Sequence, residues 1–466
     1  MFQMRTALRT SFALLTLGVA ASASAATLSV GPGQTYATPC KAFAVAKAGD
    51  VVEIAGNVTY SGDVCTIYAS NLTIRGVNGR PRIDAAGKNA QGKGIWVVAG
   101  NDIVVENVEM YGAKVPDQNG AALRLEGTNF TLRYAFLHDN ENGILTGVNL
   151  NSKVLVEYSE FGHNGYGTGY THNLYIGNIG SLTFRHNYSH DAHVGHNLKS
   201  RARINMIAYN RFSSLNAGET GSTAAGKPSY EIDLPNAGTS YIIGNVIQQP
   251  SVHNNPNLVG YGLEGASNPG HDLYVVNNTF LNDDSSRGNF IAVGSGVTKK
   301  ILLQNNIFGG IGTLTNQTGA VEKTNYRAGA PGFVNRAAYD LRPLANALVI
   351  NAGSAPGSSA SGVSLVPVGQ YKHTASGETR PVSGALDIGA YEAASTTSST
   401  TTSVTWTHCA AQYGICVVPG TREVRYGVDG SFVSKIVTGS IKCSDAVFGD
   451  PKPGYAKSCS YSSVVR

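Results

Sequence analysis

The sequence predicts an all-β protein, a right-handed parallel β-helix followed by a small disulfide-bonded β domain. Three observations predict it. A short strand pattern recurs along most of the chain, the six cysteines form two separate groups, and Gly is abundant while charge is sparse. The chain has 56 Gly, and only 14% of its residues are charged, which is typical of a β-rich chain with many turns.

The repeat is a run of β-forming residues, a small polar marker and another β-forming residue. The markers follow one another at intervals of 23 to 35 residues and are Gly76, Asn107, Tyr134, Ser159, Asn187, Asn210, Asn245, Asn278 and Asn306. One rung of short strands cannot bury its own apolar face, but stacked rungs can. The recurring Asn favours such a stack, because its side-chain amides can hydrogen-bond from rung to rung.

These repeats resemble the right-handed parallel β-helices of the pectin-lyase-like superfamily over about residues 27–393. The resemblance implies the β-helix fold, and proteins with this fold have many different functions. A stack of this kind has to be covered at its end. Thr38 and Pro39 predict an N-cap and first position of a covering helix that stops at Gly49. Its apolar residues, expected over the first rung, are Phe43, Val45 and Ala46.

The start of the chain is typical of a signal peptide. Arg5 and Arg9 precede a short apolar run at residues 12–20, and residues 23–25 read Ala-Ser-Ala, as at a signal-peptidase site. The run is shorter than the roughly 20 residues of a spanning helix. We expect residues 1–25 to be removed and the protein to be secreted, extracellular or periplasmic, without membrane insertion. The formal net charge of +5 excludes the strong basic field of a nucleic-acid binder, and we expect a monomer.

The cysteines predict two cross-linked regions. An even number in a secreted chain indicates disulfides, and Cys40 pairs with Cys65 if the two groups lie in separate domains. The second group allows three connectivities and consists of Cys409, Cys416, Cys443 and Cys459. We expect a β-helix domain at residues 26–393, a Ser/Thr linker at 394–404 and a Cys-rich module at 405–466.

The phrases PGTREVRYG and FGDPKPGYAKSC resemble an accessory module of secreted bacterial proteins that act on polysaccharides. The resemblance implies carbohydrate binding by this module. The aromatic residues expected to be exposed for stacking on sugar rings are Trp406, Tyr413, Tyr426 and Tyr455.

A polar column marks the candidate site in the β-helix. Side chains alternate between the two faces of a strand, and the inward residues are expected to be Leu174, Ile176, Leu198, Ile232, Leu234 and Leu263. One outward column is then Tyr175, Lys199, Asp233 and Glu264, and a second, two residues earlier, is Asn173, Asn197, Glu231 and Gly262. His172 and His196 precede two of these strands, and Arg201 and Arg203 continue the Lys199 strand.

β-Elimination of a uronic-acid-containing polysaccharide fits these residues. The reaction needs a cation for the substrate carboxylate, a base for the C5 proton and an acid for the leaving O4. Lys199 is the candidate base, because a cationic neighbour such as Arg201 favours the neutral amine. The acidic neighbours Glu231 and Asp233 act in the opposite direction unless Ca²⁺ occupies them. HNLKSRARINMIAYNRF and the next rung, YEIDLPNAGTSYIIGN, are similar to the Lys-Ser strand of the chondroitinase B and alginate lyase family. The resemblance implies a catalytic role for Lys199, while the Arg of that family's next rung falls near Asp233.

The resulting candidates have three roles. The candidate catalytic residues are Lys199, Arg201, Tyr175, His172 and His196. The candidate substrate-binding residues are Asn173, Asn197, Arg203 and Trp406. The candidate Ca²⁺ ligands are Glu231, Asp233 and Glu264.

Other functions remain open at this point. Glycoside hydrolysis could use Glu231 with Asp233, or Asp233 with Glu264. Uronate C5-epimerisation could use His172 or His196 as base, and a non-catalytic glycan-binding or adhesion protein also fits. The spacing His190-x-x-His193-x-x-His196 suggests a transition metal, but residues three apart on a strand fall on opposite faces.

Overall fold

The structure is a computed structural model that describes Met1 and residues 25–213, 227–284, 288–336, 340–393 and 405–465. The chain divides into two compact units, Met1–Ala393 and Ala394–Arg466. Most of the predicted signal peptide, residues 2–24, and the predicted linker, residues 394–404, lie outside the described residues. None of the described helices is long and apolar enough to cross a bilayer.

The first unit is a coil of three parallel sheets, which confirms the predicted right-handed β-helix. Among the described residues, sheet 1 has twelve strands, Thr27–Val30, Val51–Ala55, Thr73–Val77, Ile103–Glu106, Phe130–Arg133, Asn149–Glu157, Ile179–Arg185, Ile204–Ala208, Thr239–Ile243, Leu273–Val276, Leu302–Gln304 and Val321–Lys323. Sheet 2 has eleven described strands, Thr59–Ser61, Arg82–Asp84, Glu109–Tyr111, Phe136–His138, Glu160–Gly162, Tyr188–His190, Arg211–Ser213, Val246–Gln249, Thr279–Asn282, Ile307–Gly310 and Tyr326–Ala328. Sheet 3 has ten described strands, Cys65–Ile67, Gly94–Val98, Ala121–Leu125, Asn142–Thr146, Leu174–Ile176, Leu198–Ser200, Ile232–Leu234, Asn257–Tyr261, Asn289–Val293 and Thr313–Thr315.

The apolar residues of the short strands fill the inside of the coil. Leu174, Leu198 and Ile232 are fully buried on successive turns, as strand alternation predicts. Leu263 was expected beneath them but is exposed, because the strand of its turn is Asn257–Tyr261 and Leu263 follows it in a loop. The inward residue that pairs with Ile232 is Val259.

Asparagines stack at the corner between sheets 1 and 2, which confirms the role predicted for the recurring Asn. The side-chain amide of Asn187 donates to Asn210 Oδ1 at 3.1 Å, and Asn210 donates to Asn245 Oδ1 at 2.9 Å. The series continues upward through Asn278, Asn306 and Asn325. Asn107 is one position off this stack, and its amide instead donates to the backbone oxygens of Gly76 and Gly79.

The N-terminal cap is shorter than the sequence predicts. The helix Pro39–Phe43 ends within about one turn, well before Gly49. Phe43 is buried over the first rungs and meets Trp96 edge-on at 5.1 Å, but Val45 lies beyond the helix and is exposed. The Cys40–Cys65 disulfide ties the helix to the sheet 3 strand Cys65–Ile67, as predicted.

The coil ends at Ala328, and the rest of the first unit packs against its outside. Two antiparallel hairpins follow the coil, Phe333–Asn335 with Asp340–Pro343 and Gly369–Lys372 with Ser376–Thr379. Tyr371 and Tyr391 pack with Tyr188 of sheet 2. The β-helix domain expected at residues 26–393 is therefore a stack of turns only as far as Ala328, because the segment after it lies along a flank of the coil.

The second unit is an antiparallel sheet with a short helix. Its described strands are Trp406–Ala411, Ile415–Val428, Ser431–Lys442 and Ser458–Val465, and its helix is Asp445–Phe448. Cys409 pairs with Cys416 and Cys443 with Cys459, which selects one of the three connectivities. Both bridges lie in or beside the small core of this unit, where two cross-links compensate for limited apolar burial.

Candidate functional site

Three outward side chains stand in line on successive turns of sheet 3. Tyr175 pairs with Lys199, and Lys199 pairs with Asp233. Neighbouring strands lie about 4.8 Å apart, so the three side chains are adjacent. The next residue in this line is Gly260, not Glu264. A Cβ at Gly260 would lie 2.9 Å from Asp233 Oδ1, so this glycine leaves room for the carboxylate.

Lys199 lies at the centre of the group and is held by two carboxylates. Its Nζ is 2.7 Å from Glu264 Oε1 and 3.2 Å from Asp233 Oδ2. Only 9% of its side chain is exposed. The outward Lys that the sequence predicts is thus largely covered by its ionic partners. Glu264 reaches it from the loop after Asn257–Tyr261, so it belongs to the group although its predicted position on a strand is wrong.

Arg201 is the second cation of the group and lies one residue past the strand Leu198–Ser200. Its Nε donates to the hydroxyl of Tyr175 at 2.8 Å, and its Nη2 donates to Glu264 Oε2 at 2.5 Å. Its Nη1 donates to Asn236 Oδ1 at 2.5 Å. Sequence reasoning missed Asn236; the available signal was its position just after the strand that carries Asp233.

Two stacked histidines line the side of the group before the strands. The rings of His172 and His196 stack with their centres 4.5 Å apart and their planes inclined by 29°. Each Nδ1 accepts a backbone N–H, from His196 at 3.0 Å and from Tyr230 at 3.4 Å. The proton of each neutral ring therefore lies on Nε2. The Nε2 of His196 is 3.4 Å from Asp233 Oδ2.

Burial and the cation Lys199 set the charge of these rings. Burial, reinforced by His196 and Lys199, lowers the pKa of His172 well below its ordinary value. Burial and Lys199 lower the pKa of His196 to about 3. Both imidazoles are therefore neutral near pH 7 and present an N–H, not a lone pair, at Nε2.

The two carboxylates of the group have opposite shifts. Burial raises the pKa of Asp233 to about 6, although Lys199 opposes this. Burial also acts to raise the pKa of Glu264, but its hydrogen bonds to Lys199 and Arg201 outweigh it and lower the pKa. Glu264 is thus ionised, while Asp233 can change protonation state close to neutrality.

The second predicted column is buried in the corner before the strands and does not face outward. The Asn173 amide donates to Asn197 Oδ1 at 2.9 Å, and the Asn197 amide donates to Glu231 Oε2 at 2.5 Å. All three side chains are within the protein, with Glu231 only 1% exposed. Their predicted substrate-binding and metal roles do not fit this burial. The position one before a strand belongs to the turn, where the side chain folds back toward the neighbouring rungs.

Glu231 has the most perturbed carboxyl group of this region. Burial raises its pKa to about 8, against the hydrogen bond from Asn197. Its Oε1 has no hydrogen-bond partner among the described residues. The three predicted Ca²⁺ ligands therefore do not form one site. Glu231 is buried in the corner, whereas Asp233 and Glu264 form ion pairs with Lys199.

The remaining predicted residues are dispersed. Arg203 lies in the turn just before the sheet 1 strand Ile204–Ala208 and is half-buried. In the second unit, Trp406 is half-buried with the Arg425 guanidinium 4.3 Å from its ring centre. Tyr426 was expected to be exposed but is fully buried and stacks on Phe448.

Comparison with known proteins shows the fold. No protein-family model matches the sequence. The structure is similar to that of pectate lyase Pel9A, with a TM-score of 0.54 at 17% identity over 80% of this chain and 98% of that one. Alginate lyase from Paenibacillus sp. str. FPU-7 gives a TM-score of 0.36 at 14% identity over 65% of this chain and 99% of that one. Pectin methylesterase PemA from Erwinia chrysanthemi gives 0.32 at 13% identity over 70% and 94%.

Proposed function

We propose that the protein is a secreted enzyme that cleaves a uronic-acid-containing polysaccharide by β-elimination. The observation that carries the proposal is the position of Glu264. Its two oxygens bridge Lys199 Nζ at 2.7 Å and Arg201 Nη2 at 2.5 Å. A carboxylate thus fits beside these two groups, and a uronate carboxylate of the substrate would take the place of Glu264 at Arg201.

Glu264 is suited to give way to the substrate. Its side chain is 47% exposed, whereas those of Lys199 and Arg201 are 9% and 22% exposed. It lies in a loop, and its neighbour Gly265 has a φ of +108°. Displacement of Glu264 also takes away the carboxylate nearest to Lys199 Nζ, at 2.7 Å, which favours the neutral amine. Arg201 then holds the substrate carboxylate, and this neutralisation makes the C5 proton more acidic.

The mechanism follows from the remaining groups. The Lys199 amine, in its neutral form, takes the C5 proton; the electron pair of the C5–H bond forms the C4=C5 double bond, and the C4–O4 bond breaks. Tyr175 gives its hydroxyl proton to the leaving O4. The Arg201 N–H that already donates to the Tyr175 hydroxyl oxygen then stabilises the phenolate. The Nε2–H groups of His172 and His196 are donors for the oxyanion that develops on the substrate carboxylate.

Hydrolysis is the second candidate, and the opposite pKa shifts of Asp233 and Glu264 favour it. A carboxyl with a pKa of about 6 beside an ionised carboxylate is the pairing of a general acid with a base or nucleophile. The other pair, Glu231 with Asp233, is less suitable because Glu231 is buried. Epimerisation by His172 or His196 is also less suitable, since each ring presents an N–H.

One assay separates these functions. The purified protein is incubated with a panel of uronate-containing polysaccharides, and both the ultraviolet absorbance of the unsaturated product and the reducing ends are followed. Elimination raises both signals together. Hydrolysis raises reducing ends alone, and the lyase proposal is then wrong. Absence of both signals with every polymer would leave glycan binding without catalysis or C5-epimerisation, which breaks no glycosidic bond.

A further inference from the structure

A second group of metal-ligating side chains lies on sheet 2 and is separate from the Lys199 group. His163, His190 and Asp191 offer donor atoms that all lie within 4.8 Å of one another. The His190 Nδ1 is 2.8 Å from Asp191 Oδ2, and the His163 Nε2 is 3.9 Å from the same oxygen. Among the described residues, no other three His, Cys, Asp or Glu side chains come this close.

The coil brings these residues together from two successive turns. His163 and Asp191 each follow the last residue of a sheet 2 strand, Glu160–Gly162 and Tyr188–His190, and those last residues pair with each other. Both have left-handed backbone conformations, with φ of 54° and 51°, so their side chains leave the corner in the same direction. Gly162 makes room for the His190 ring, since a Cβ there would lie 2.7 Å from it.

We propose that His163, His190 and Asp191 bind a single Zn²⁺ or a similar divalent transition-metal ion. Two imidazole nitrogens and one carboxylate oxygen are a donor set that Zn²⁺ takes, with a fourth position left for water. Bonds of about 2.1 Å place tetrahedral ligand atoms about 3.4 Å apart. The two distances from Asp191 Oδ2, 2.8 and 3.9 Å, lie on either side of that value.

Glu160 completes the arrangement without being a ligand. Its Oε1 is 3.2 Å from the His190 Nε2, the ring nitrogen that faces away from Asp191. A histidine that binds a metal through one nitrogen commonly donates its other N–H to a carboxylate, which fixes the ring and strengthens the ligand. Glu160 is therefore a positioning residue for His190.

The site is not the one suggested by the spacing His190-x-x-His193-x-x-His196. His190 lies on sheet 2, whereas His196 lies before a sheet 3 strand and stacks on His172. The partner of His190 is His163, from the preceding turn of the coil. Three-residue spacing along the chain could not reveal a pair that the stacking of turns creates.

His138 provides a matched control on the same sheet. Its Nδ1 is 2.6 Å from Asp139 Oδ2 and its Nε2 is 3.3 Å from Glu109 Oε1, which repeats the carboxylates around His190. Among the described residues, however, no third donor completes a close group with His138 and Asp139. We therefore expect His138→Gln to leave metal binding unchanged.

The test is metal binding by the full chain, free of any affinity tag and stripped with a chelator. Zn²⁺ titrated by calorimetry should bind to a single site, and Co²⁺ should give the visible bands of a tetrahedral site. The isosteric Glu160→Gln should weaken binding by at least about tenfold and His163→Ala by more. Circular dichroism would establish that each variant is folded. Absence of binding by the wild type, or equal affinity in His163→Ala, would overturn the proposal, and neither readout depends on polysaccharide cleavage.

Discussion

On three successive turns of the coil, two neighbouring columns differ by only two positions along the chain. The column at the centre of the sheet 3 strands holds Tyr175, Lys199 and Asp233, which face outward and bind charged partners. The column just before those strands holds Asn173, Asn197 and Glu231, which bind one another inside the corner. Because the two columns are two positions apart, strand alternation alone would place both on the same, outward face of sheet 3. The difference teaches that alternation holds within a strand and fails at the first turn residue.

The two carboxyls of one segment show what this difference does to chemistry. Asp233 has Lys199 at 3.2 Å and a pKa of about 6. Glu231 has an amide donor, Asn197, and a pKa of about 8. Burial outweighs the Asn197 amide and the Arg211 cation, so the Glu231 carboxyl remains protonated near neutrality. The outer column thus carries reactive charge, while the inner column is a neutral polar support.

The largest effect should come from Lys199 in the outer column. Lys199→Ala should lower the rate of polysaccharide cleavage by at least about a hundredfold, the low end for loss of a general base. Lys199→Arg should fail nearly as badly, because a guanidinium stays protonated. The measurement is the initial rate of unsaturated-product formation. Lys93→Ala is the control, since Lys93 also pairs with a glutamate, Glu126, at 2.6 Å. Near-normal turnover of Lys199→Ala would exclude Lys199 as the base.

The inner column should respond in stability. Asn197→Ala removes the partner of Asn173, of Glu231 and of the Ala192 N–H. Leaving these buried groups unsatisfied should cost about 3 kcal/mol in the free energy of unfolding, measured by denaturant titration.

Asn101 is the matched control for this prediction. Its Oδ1 also accepts a backbone N–H, from Thr128 at 2.8 Å, but at an exposed position. Because water can replace that bond, Asn101→Ala should cost less than about 1 kcal/mol. Equal effects of the two variants would mean that the Asn197 column is no more important than a surface hydrogen bond.

Glu231 should make stability depend on pH in a defined direction. A carboxyl whose pKa is raised from 4.5 to about 8 on folding contributes stability that is complete below the unfolded pKa and is lost as pH rises through the folded one. Between about pH 6 and about pH 8, the wild type should lose roughly 2 kcal/mol more than Glu231→Gln, which cannot ionise. Denaturant titrations of both proteins at several pH values measure this. Parallel pH profiles would show that Glu231 is already ionised or already exposed.

The smallest effect should come from Glu264, at the exposed rim of the outer column. Glu264→Gln removes the charge that competes with a substrate carboxylate for Lys199 and Arg201. A half-exposed ion pair contributes at most about 1 kcal/mol, so KM should fall by up to about fivefold while kcat stays nearly constant. Steady-state kinetics separate the two parameters. Loss of kcat would instead support hydrolysis, in which Glu264 is the base or nucleophile.

The repeat made the fold predictable, because every turn of the coil buries its apolar residues with the same short strand pattern. Lys199, Tyr175 and Asp233 were predictable because each lies inside a strand. The turn with Glu264 was not, because Leu263 continues the alternation of Val259 and Tyr261 along the sequence. The strand Asn257–Tyr261 nevertheless ends before Gly262, whose φ is 69°. The sequence contains no sign of this ending beyond the glycine itself.

Three-dimensional neighbours explain the other differences. His163 and His190 are 27 positions apart, and only the rise of one turn of the coil brings them together. In the second unit, Tyr426 was expected at the surface for sugar stacking, but the small core needs large rings, and Tyr426 fills it with Phe448. Glycan binding by this unit stays a prediction, which Trp406 and the exposed Tyr413 and Tyr455 would have to carry.

The asparagine stack also determines where this protein can change in length. From the strand Ile103–Glu106 onward, the corner between sheets 1 and 2 has two residues, as His186 and Asn187 between Arg185 and Tyr188 illustrate. An insertion there would pull an amide out of line with its neighbours above and below. Among the corners that the structure describes throughout, the other two vary widely, from two residues after Ile307–Gly310 to eleven after Glu160–Gly162, and both border sheet 3. Insertions and deletions are therefore tolerated mainly at the two corners that border sheet 3, beside the candidate site. Substrate specificity can change there while the asparagine stack at the opposite corner keeps the register of the turns.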